Sequence, residues 1–284
     1  LVTDAYTGKV QAFVMDSHEP IIKTYSRIFP GVFRPFSEMP KEFQSHIRYP
    51  EDQFNIQASV YAKYHMTNPA MFYGQTDLWQ IPAIEDVTNG QSTGIEPYYI
   101  ITRLPNSKID EFILIVPFVR AGKQNMVAWM AAKCDAPSYG QLITYQFPSG
   151  VRVFGPNQIV SRANQNTEIS QKLTLWGQHG SSVVRGNLLA IPIENSVLYV
   201  QPLYLQSTTT QIPEFKEVIV ALGDSITMEP TLAEALAKVV GVDKLPTVSA
   251  TVEAAPQPTK PAQPSQPTKP QPLLPSTPAS PELR

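Results

Sequence analysis

Apolar and polar positions along this chain follow a helical period first and a strand period later. Ile21, Ile22, Tyr25, Ile28 and Phe29 recur at helical spacing until Pro30-Gly31 stops them. Asp16 and Glu19 stand ahead of that run at capping-box spacing. Lys9 to Met15 reads as a short strand after the turn Tyr6-Thr7-Gly8-Lys9, and a second short helix is expected over Pro40 to Arg48. The best helix begins at Pro50, because proline suits the first helical position and Glu51 and Asp52 suit the positive end of the helix dipole. Phe54, Ala58, Tyr61 and His65 share one stripe with Ile56, Val60 and Tyr64 close beside it, which predicts one buried face running to Met66. Asn68 to Pro82 is aromatic-rich and broken by Pro and Gly; it reads as a short helical turn packing Phe72, Tyr73 and Trp79 inward.

Beyond the polar loop Glu85 to Gly94 the period becomes that of sheet. Tyr98 to Leu104, Glu111 to Val119, Met126 to Lys133 and Gln141 to Phe147 carry β-branched or aromatic residues between turn signals, and their short links favour antiparallel neighbours. Phe154 to Trp176 is helical in part, with Ile169, Leu173 and Trp176 on one face. A hairpin of Val183 to Ile193 and Val197 to Leu205 turns at Glu194-Asn195-Ser196, and Glu217 to Leu222 adds a strand. The expected architecture is α+β: helices packed against a largely antiparallel β-sheet. Residues 1–241 form the domain, with a helical front over about 16–82 and a strand-rich part over about 97–241. Residues 242–284 follow as a disordered tail, because the stretch from Leu245 holds eleven prolines in forty residues and repeats QPTKP. Such a composition favours polyproline II and buries too little apolar surface to offset its ordering entropy.

Composition narrows the function classes. Among 284 residues only 16% are charged and the net charge is -2, so no field steers phosphates, no Lys/Arg cluster forms, and nucleic acid is not an expected partner. Cys134 is the single cysteine, which excludes an intramolecular disulfide and a thiolate zinc site within the chain. The longest apolar runs, such as Phe112 to Val119, fall well short of the roughly 20 residues a membrane helix needs. The chain opens on Leu1 without signal-peptide regions, the pattern expected where an upstream portion is missing.

Several blocks carry a resemblance: DAYTGKV at Asp4 to Val10, PIIKTYSRIFPGVFRPFSEMP at Pro20 to Pro40, RYPEDQFNIQASVYAKYHMTNPAMFY at Arg48 to Tyr73, NMVAWMAAKCDAPSYGQLITYQFP at Asn125 to Pro148, EISQKLTLWGQHGSSVVRGNLLAIPI at Glu168 to Ile193, and LYVQPLYLQ at Leu198 to Gln206. In these blocks, which reach to about Gly241, the chain resembles an uncharacterised protein family of bacterial and cyanobacterial multi-pass integral membrane proteins whose C-terminal half is extracytoplasmic. The resemblance implies location more than activity. This chain would be the distal part of the extracytoplasmic region at the cell membrane, with the upstream transmembrane helices of its own longer chain and an unidentified envelope protein as partners. The family has no established reaction, so no catalytic residue carries over.

Three candidate chemistries remain. The run VIVALGDSIT places Ser225 after a strand, like the first block of Gly-Asp-Ser-type esterases. Such an enzyme needs its serine early, with an oxyanion glycine, an asparagine and an Asp-x-x-His pair following. Here His18, His46, His65 and His179 all precede Ser225, so the preferred reading is a tight turn at Gly223-Asp224. His65 and Met66 are adjacent in a helix and point about 100° apart, which prevents them from sharing one metal. No nucleotide-binding loop, zinc helix or calcium loop occurs, and neither a metal nor another cofactor is expected. The abundant aromatics suit an interface as well as a core, and the candidate interaction or ligand-binding surface is Tyr61, Tyr64, His65, Tyr73 and Trp79. The leading function is a non-enzymatic assembly or partner-binding role in the cell envelope. The alternatives are a serine hydrolase centred on Ser225 and a ligand-binding module lined by the aromatics of 61–79.

Overall fold

Alternation along one strand sets the architecture. In Asp110–Arg120, Ile113 and Ile115 face one hydrophobic core while Phe112, Leu114, Val116 and Phe118 face another, so both sides of the strand are buried. The computed structural model describes residues 1–85, 92–105, 107–178, 180–193, 196–207, 209 and 212–242. The expected disordered tail, His179, most of the Glu85 to Gly94 loop and the Glu194-Asn195 turn lie outside the described residues. The chain divides into Leu1–Leu245 and Pro246–Arg284, and every described residue falls in the first unit.

In chain order the elements are β1 (Val2–Thr3), β2 (Val10–Val14), α1 (Pro20–Ile28), β3 (Phe33–Pro35), α2 (Lys41–Gln44), α3 (Glu51–Tyr64), α4 (Pro69–Gly74), β4 (Trp79–Gln80), β5 (Ala83–Glu85), β6 (Ser92–Gly94), β7 (Tyr98–Arg103), β8 (Asp110–Arg120), β9 (Met126–Lys133) and β10 (Leu142–Gln146). They continue with α5 (Pro156–Gln165), α6 (Thr167–Trp176), β11 (Ser181–Arg185), β12 (Leu189–Ile193), β13 (Ser196–Ser207), β14 (Pro213–Leu222), β15 (Ser225–Glu229) and α7 (Leu232–Val240). The fold is α+β with mostly antiparallel pairing; the parallel pair is β2 with β3.

The main strands divide into two five-stranded sheets. In the first, β10, β9, β8 and β4 follow one another and β7 also pairs β8; in the second, β11, β13, β14 and β15 follow one another and β12 also pairs β13. A shared core of Ile113, Ile115, Trp129, Ala131, Val197 and Tyr199 lies between them. The Tyr98 hydroxyl ties the sheets together, donating to Ala190 O at 2.7 Å and accepting from Ala190 N at 2.8 Å. The outer face of the first sheet is covered by α3 through Phe54, Ala58 and Ala62. The outer face of the second sheet is covered by α7 through Ala235 and Val239. Helices α5 and α6 contribute Ala163 and Ile169 to a further cluster with Leu203 and Ile219.

Capping chemistry corrects several expected boundaries. Helix α1 starts at Pro20 because Glu19 is itself the N-cap, its carboxylate accepting from Ile22 N at 2.9 Å, while Asp16 instead turns onto His18 N at 2.8 Å. Pro50 is the N-cap of α3, which starts at Glu51, one residue later than expected, and the expected second helix shrinks to the single turn of α2. The Phe154 to Trp176 stretch becomes two helices that meet at Asn166, the C-cap of α5 and the N-cap of α6, whose side chain accepts from Ile169 N at 3.2 Å.

Prolines mark interruptions in the sheets. Pro117 has no N–H to donate, and it sits where one edge of β8 is vacated between the end of β7 at Ile115 and the start of β4 at Val119. Pro202 does the same in β13, between the pairing of β12 up to Val200 and that of β11 from Leu203. The expected single strand Val183 to Ile193 is therefore two, broken at Gly186 to Leu188. A Cβ on Gly186 would stand 2.7 Å from Pro202 Cγ, so only glycine lets the two backbones approach there.

Candidate functional site

Ser225 opens β15 directly after a two-residue hairpin turn, paired with Leu222. Gly223 supplies the positive φ of +55° that this turn uses. The Arg162 guanidinium reaches from α5 to donate to Gly223 O at 2.9 Å and Asp224 O at 2.6 Å, which fixes the turn. Among the described residues no histidine is hydrogen-bonded to Ser225: His18 pairs with Asp16, His46 lies beyond α2, and His65 bonds the Tyr61 carbonyl. An activated serine needs a base within reach, and the described part of the turn supplies none.

The aromatic candidates separate into a buried group and an exposed one. The His65 ring stacks on Trp79 with centroids 3.8 Å apart, Tyr61 meets Trp79 edge-on at 6.3 Å, and Trp79 packs on Phe118 at 5.7 Å. His65 Nδ1 lies 3.2 Å from Tyr61 O, and Asp77 is placed between His65 Nε2 at 3.7 Å and Arg120 Nε at 2.5 Å. Trp79, 3% exposed, thus fills the space beside α3 rather than lining an opening. Tyr64 and Tyr73 lie outside, 66% and 86% exposed, against Phe72. The expectation that Tyr73 packs inward is overturned: successive helical residues point about 100° apart, and with Phe72 half-buried Tyr73 is left exposed.

Helix α3 carries a second apolar stripe that the fold leaves uncovered. Phe54, Ala58 and Ala62 occupy the sheet side, whereas Ile56, Val60 and Tyr64 occupy the opposite side and are exposed. These three are not a continuation of the buried face, because residues two apart on a helix point about 200° apart. Helix α1 behaves similarly: Ile21, Tyr25, Ile28 and Phe29 form one face, and the helix buries none of its residues.

A cavity of about 480 Å³ lies where the β11 and β12 pairing is interrupted, roofed by the β5–β6 hairpin and by α5. Ile84, Ile95, Val160 and Leu188 form apolar walls, with Arg185 and Gln201 among the polar groups. Gln201 is 3% exposed, and its Nε2 donates to Gly186 O at 3.1 Å. Arg185 Nη2 donates to Asn164 Oδ1 at 2.5 Å. Burial pushes the Tyr98 phenol far above its usual range, so its hydroxyl at this cavity stays neutral and occupied by Ala190. None of these residues stood among the sequence candidates. The available signal was Gly186 inside an apolar strand pattern, which marks a bulge or a close backbone approach. Among the described residues no group of three or more metal-ligating side chains comes together, and no helix is long and apolar enough to cross a membrane.

No solved structure matches this chain. In sequence it is similar to a UPF0182 protein of Desulforamulus reducens, 51% identical over 238 residues that cover 84% of this chain and 25% of that protein. A UPF0182 protein of Pelotomaculum thermopropionicum is 47% identical over 92% of this chain and 29% of its own length, and one of Trichodesmium erythraeum is 46% identical over 88% and 27%. The chain spans about a quarter of the length of these curated relatives. With residues 1–176 matching the family model as well, the chain belongs to the Uncharacterised protein family (UPF0182).

Proposed function

We propose that this chain is an extracytoplasmic part of a multi-pass membrane protein and serves a non-enzymatic docking role, with the outer stripe of α3 as its contact surface. The observation that carries this reading is that α3 is apolar on two opposite faces. The sheet buries the face of Phe54, Ala58 and Ala62, whereas Ile56, Val60 and Tyr64 on the opposite face are exposed. Tyr73 and the uncovered face of α1 add further apolar surface of the kind that marks interaction sites. The relatives carry about three times as much chain outside the matched stretch, and their upstream membrane-embedded portion is the partner this reading assigns. An envelope protein is the further partner of the assembled whole.

Cysteine accessibility tests both halves of the proposal in a Cys134→Ala background. Val60→Cys should react with a membrane-impermeant maleimide in the 284-residue protein and be protected at least tenfold in the longer family protein in membranes. Asp224→Cys, on the exposed hairpin, should be labelled in intact spheroplasts. Equal labelling of Val60→Cys in both settings would remove the docking role, and Asp224→Cys labelling only after lysis would remove the extracytoplasmic placement.

A further inference from the structure

We propose that the uncovered face of α1 is a lipid-contact surface, which lies in the headgroup region of an anionic phospholipid bilayer. Ile21, Tyr25, Ile28, Phe29 and Val32 follow helical spacing and are 48% to 64% exposed, so they form one outward stripe. Val32 extends it past the helix end, its N–H donating to Phe29 O at 3.4 Å. Tyr25 and Phe29 stack with centroids 6.3 Å apart, which joins their rings into one aromatic surface. No residue of α1 is buried, and within it only Ile22 and Ser26 are half-buried, so the fold covers a narrow edge of the helix.

Charge selects the occupant. From Pro20 to Ser37 the charged residues are Lys23, Arg27 and Arg34, all exposed, with no acid among them. Of the flanking acids, Asp16 and Glu19 accept from His18 N and Ile22 N, and Glu38 lies beyond β3. Lys23 and Arg27 stand roughly 200° and 240° around the helix from Ile21, opposite the apolar stripe. An apolar stripe backed by basic residues is the pattern of helices that lie in the plane of a bilayer. At nine residues α1 is about 13 Å long, too short for the roughly 30 Å hydrocarbon core, so it lies along the surface. There the Tyr25 ring reaches apolar chains while its hydroxyl stays among headgroups. A helix is only about 10–12 Å across, so the basic side stays within about one Debye length of the lipid phosphates. A protein groove would use the stripe alone, whereas a charged surface acts on both faces. This inference shares no residue with the outer stripe of α3, so it stands or falls separately from the docking role.

Flotation of the 284-residue protein with lipid vesicles makes the test. It should float with phosphatidylcholine vesicles containing about 30% phosphatidylglycerol at about 20 mM salt. Binding should weaken about fivefold or more at about 500 mM salt, and likewise on phosphatidylcholine alone. Ile28→Ser with Phe29→Ser should weaken binding about tenfold or more. Lys23→Gln with Arg27→Gln should weaken it about fivefold on the anionic vesicles and leave the residual binding to phosphatidylcholine alone unchanged. Ile109→Ser, at an exposed apolar residue between β7 and β8, should change neither. Hydrogen exchange of the unaltered protein supplies a measurement free of variants: the α1 amides should exchange about tenfold more slowly with anionic vesicles present. Absence of flotation with anionic vesicles, or binding that Ile28→Ser with Phe29→Ser leaves intact, overturns the proposal. Self-association of the protein in place of flotation, abolished by that same variant, would give the stripe to a second copy and also overturn it. Should the variant fail to fold, the exchange of the α1 amides decides.

Discussion

Two single residues show how tightly the interior is built. Gly155, the N-cap of α5, donates its N–H to Gln158 Oε1 at 2.9 Å, and a Cβ there would stand 1.8 Å from the Gln124 carbonyl oxygen. That oxygen belongs to the backbone and cannot swing aside. Gly155→Ala should therefore cost about 3 kcal/mol, read as a lowered urea midpoint with unchanged m-value. Cys134 is buried at 3% exposure, and burial pushes its thiol above the usual range. A raised thiol pKa leaves less thiolate, which is the reactive form. Ellman's reagent at pH 8 should leave Cys134 essentially unmodified in the native protein and modify it fully in 6 M guanidinium; rapid native reaction would contradict the burial.

At the scale of elements, the two faces of α3 make opposite claims. Phe54 is fully buried against Leu114, Val116 and Phe118, so Phe54→Ala should cost about 3–5 kcal/mol through lost contacts and a cavity. Val60 is 51% exposed on the opposite face, and Val60→Ser should change stability by no more than about 0.5 kcal/mol. Equilibrium urea unfolding of both variants checks the contrast; a large loss for Val60→Ser would mean that this face packs internally. The same helix explains why its pattern was only half legible. Apolar residues at helical spacing were visible, but the stripe that meets the sheet is Phe54, Ala58 and Ala62, while Tyr61 stays partly outside. Small alanines let α3 approach the sheet closely, and that closeness is a property of the pair of surfaces.

Across the whole molecule, two sheets packed face to face form the central layers, α3 and α7 cover their outer faces, and α5 adds Ile159 and Val160 to the core between them. The periods in the sequence identified the strands β7 to β10 and β14 within a residue or a few, since each must alternate or run apolar to be buried. They did not divide the strands between two sheets, because partner choice depends on contacts between residues far apart in the chain, such as Tyr98 with Ala190. The cavity was equally hidden. Arg185 and Gln201 are sixteen residues apart, and the antiparallel register of β11 on β13 brings both to the cavity beside the break between β11 and β12. The exposed faces of α1 and α3 were likewise invisible as faces, since a periodic pattern states that a helix has an apolar side without stating what covers it.

By itself the sequence determined the α+β class, most element positions, the hairpin at Gly223-Asp224 and the family, because local periodicity, turn residues and shared blocks are all written along the chain. Only the tertiary structure decided that Trp79 and His65 are filling rather than surface, that Tyr64 and Tyr73 face outward, and that a cavity opens at Gly186. Each of those outcomes rests on which surfaces meet across long separations. That is settled by how those surfaces pack, which no local window of sequence contains.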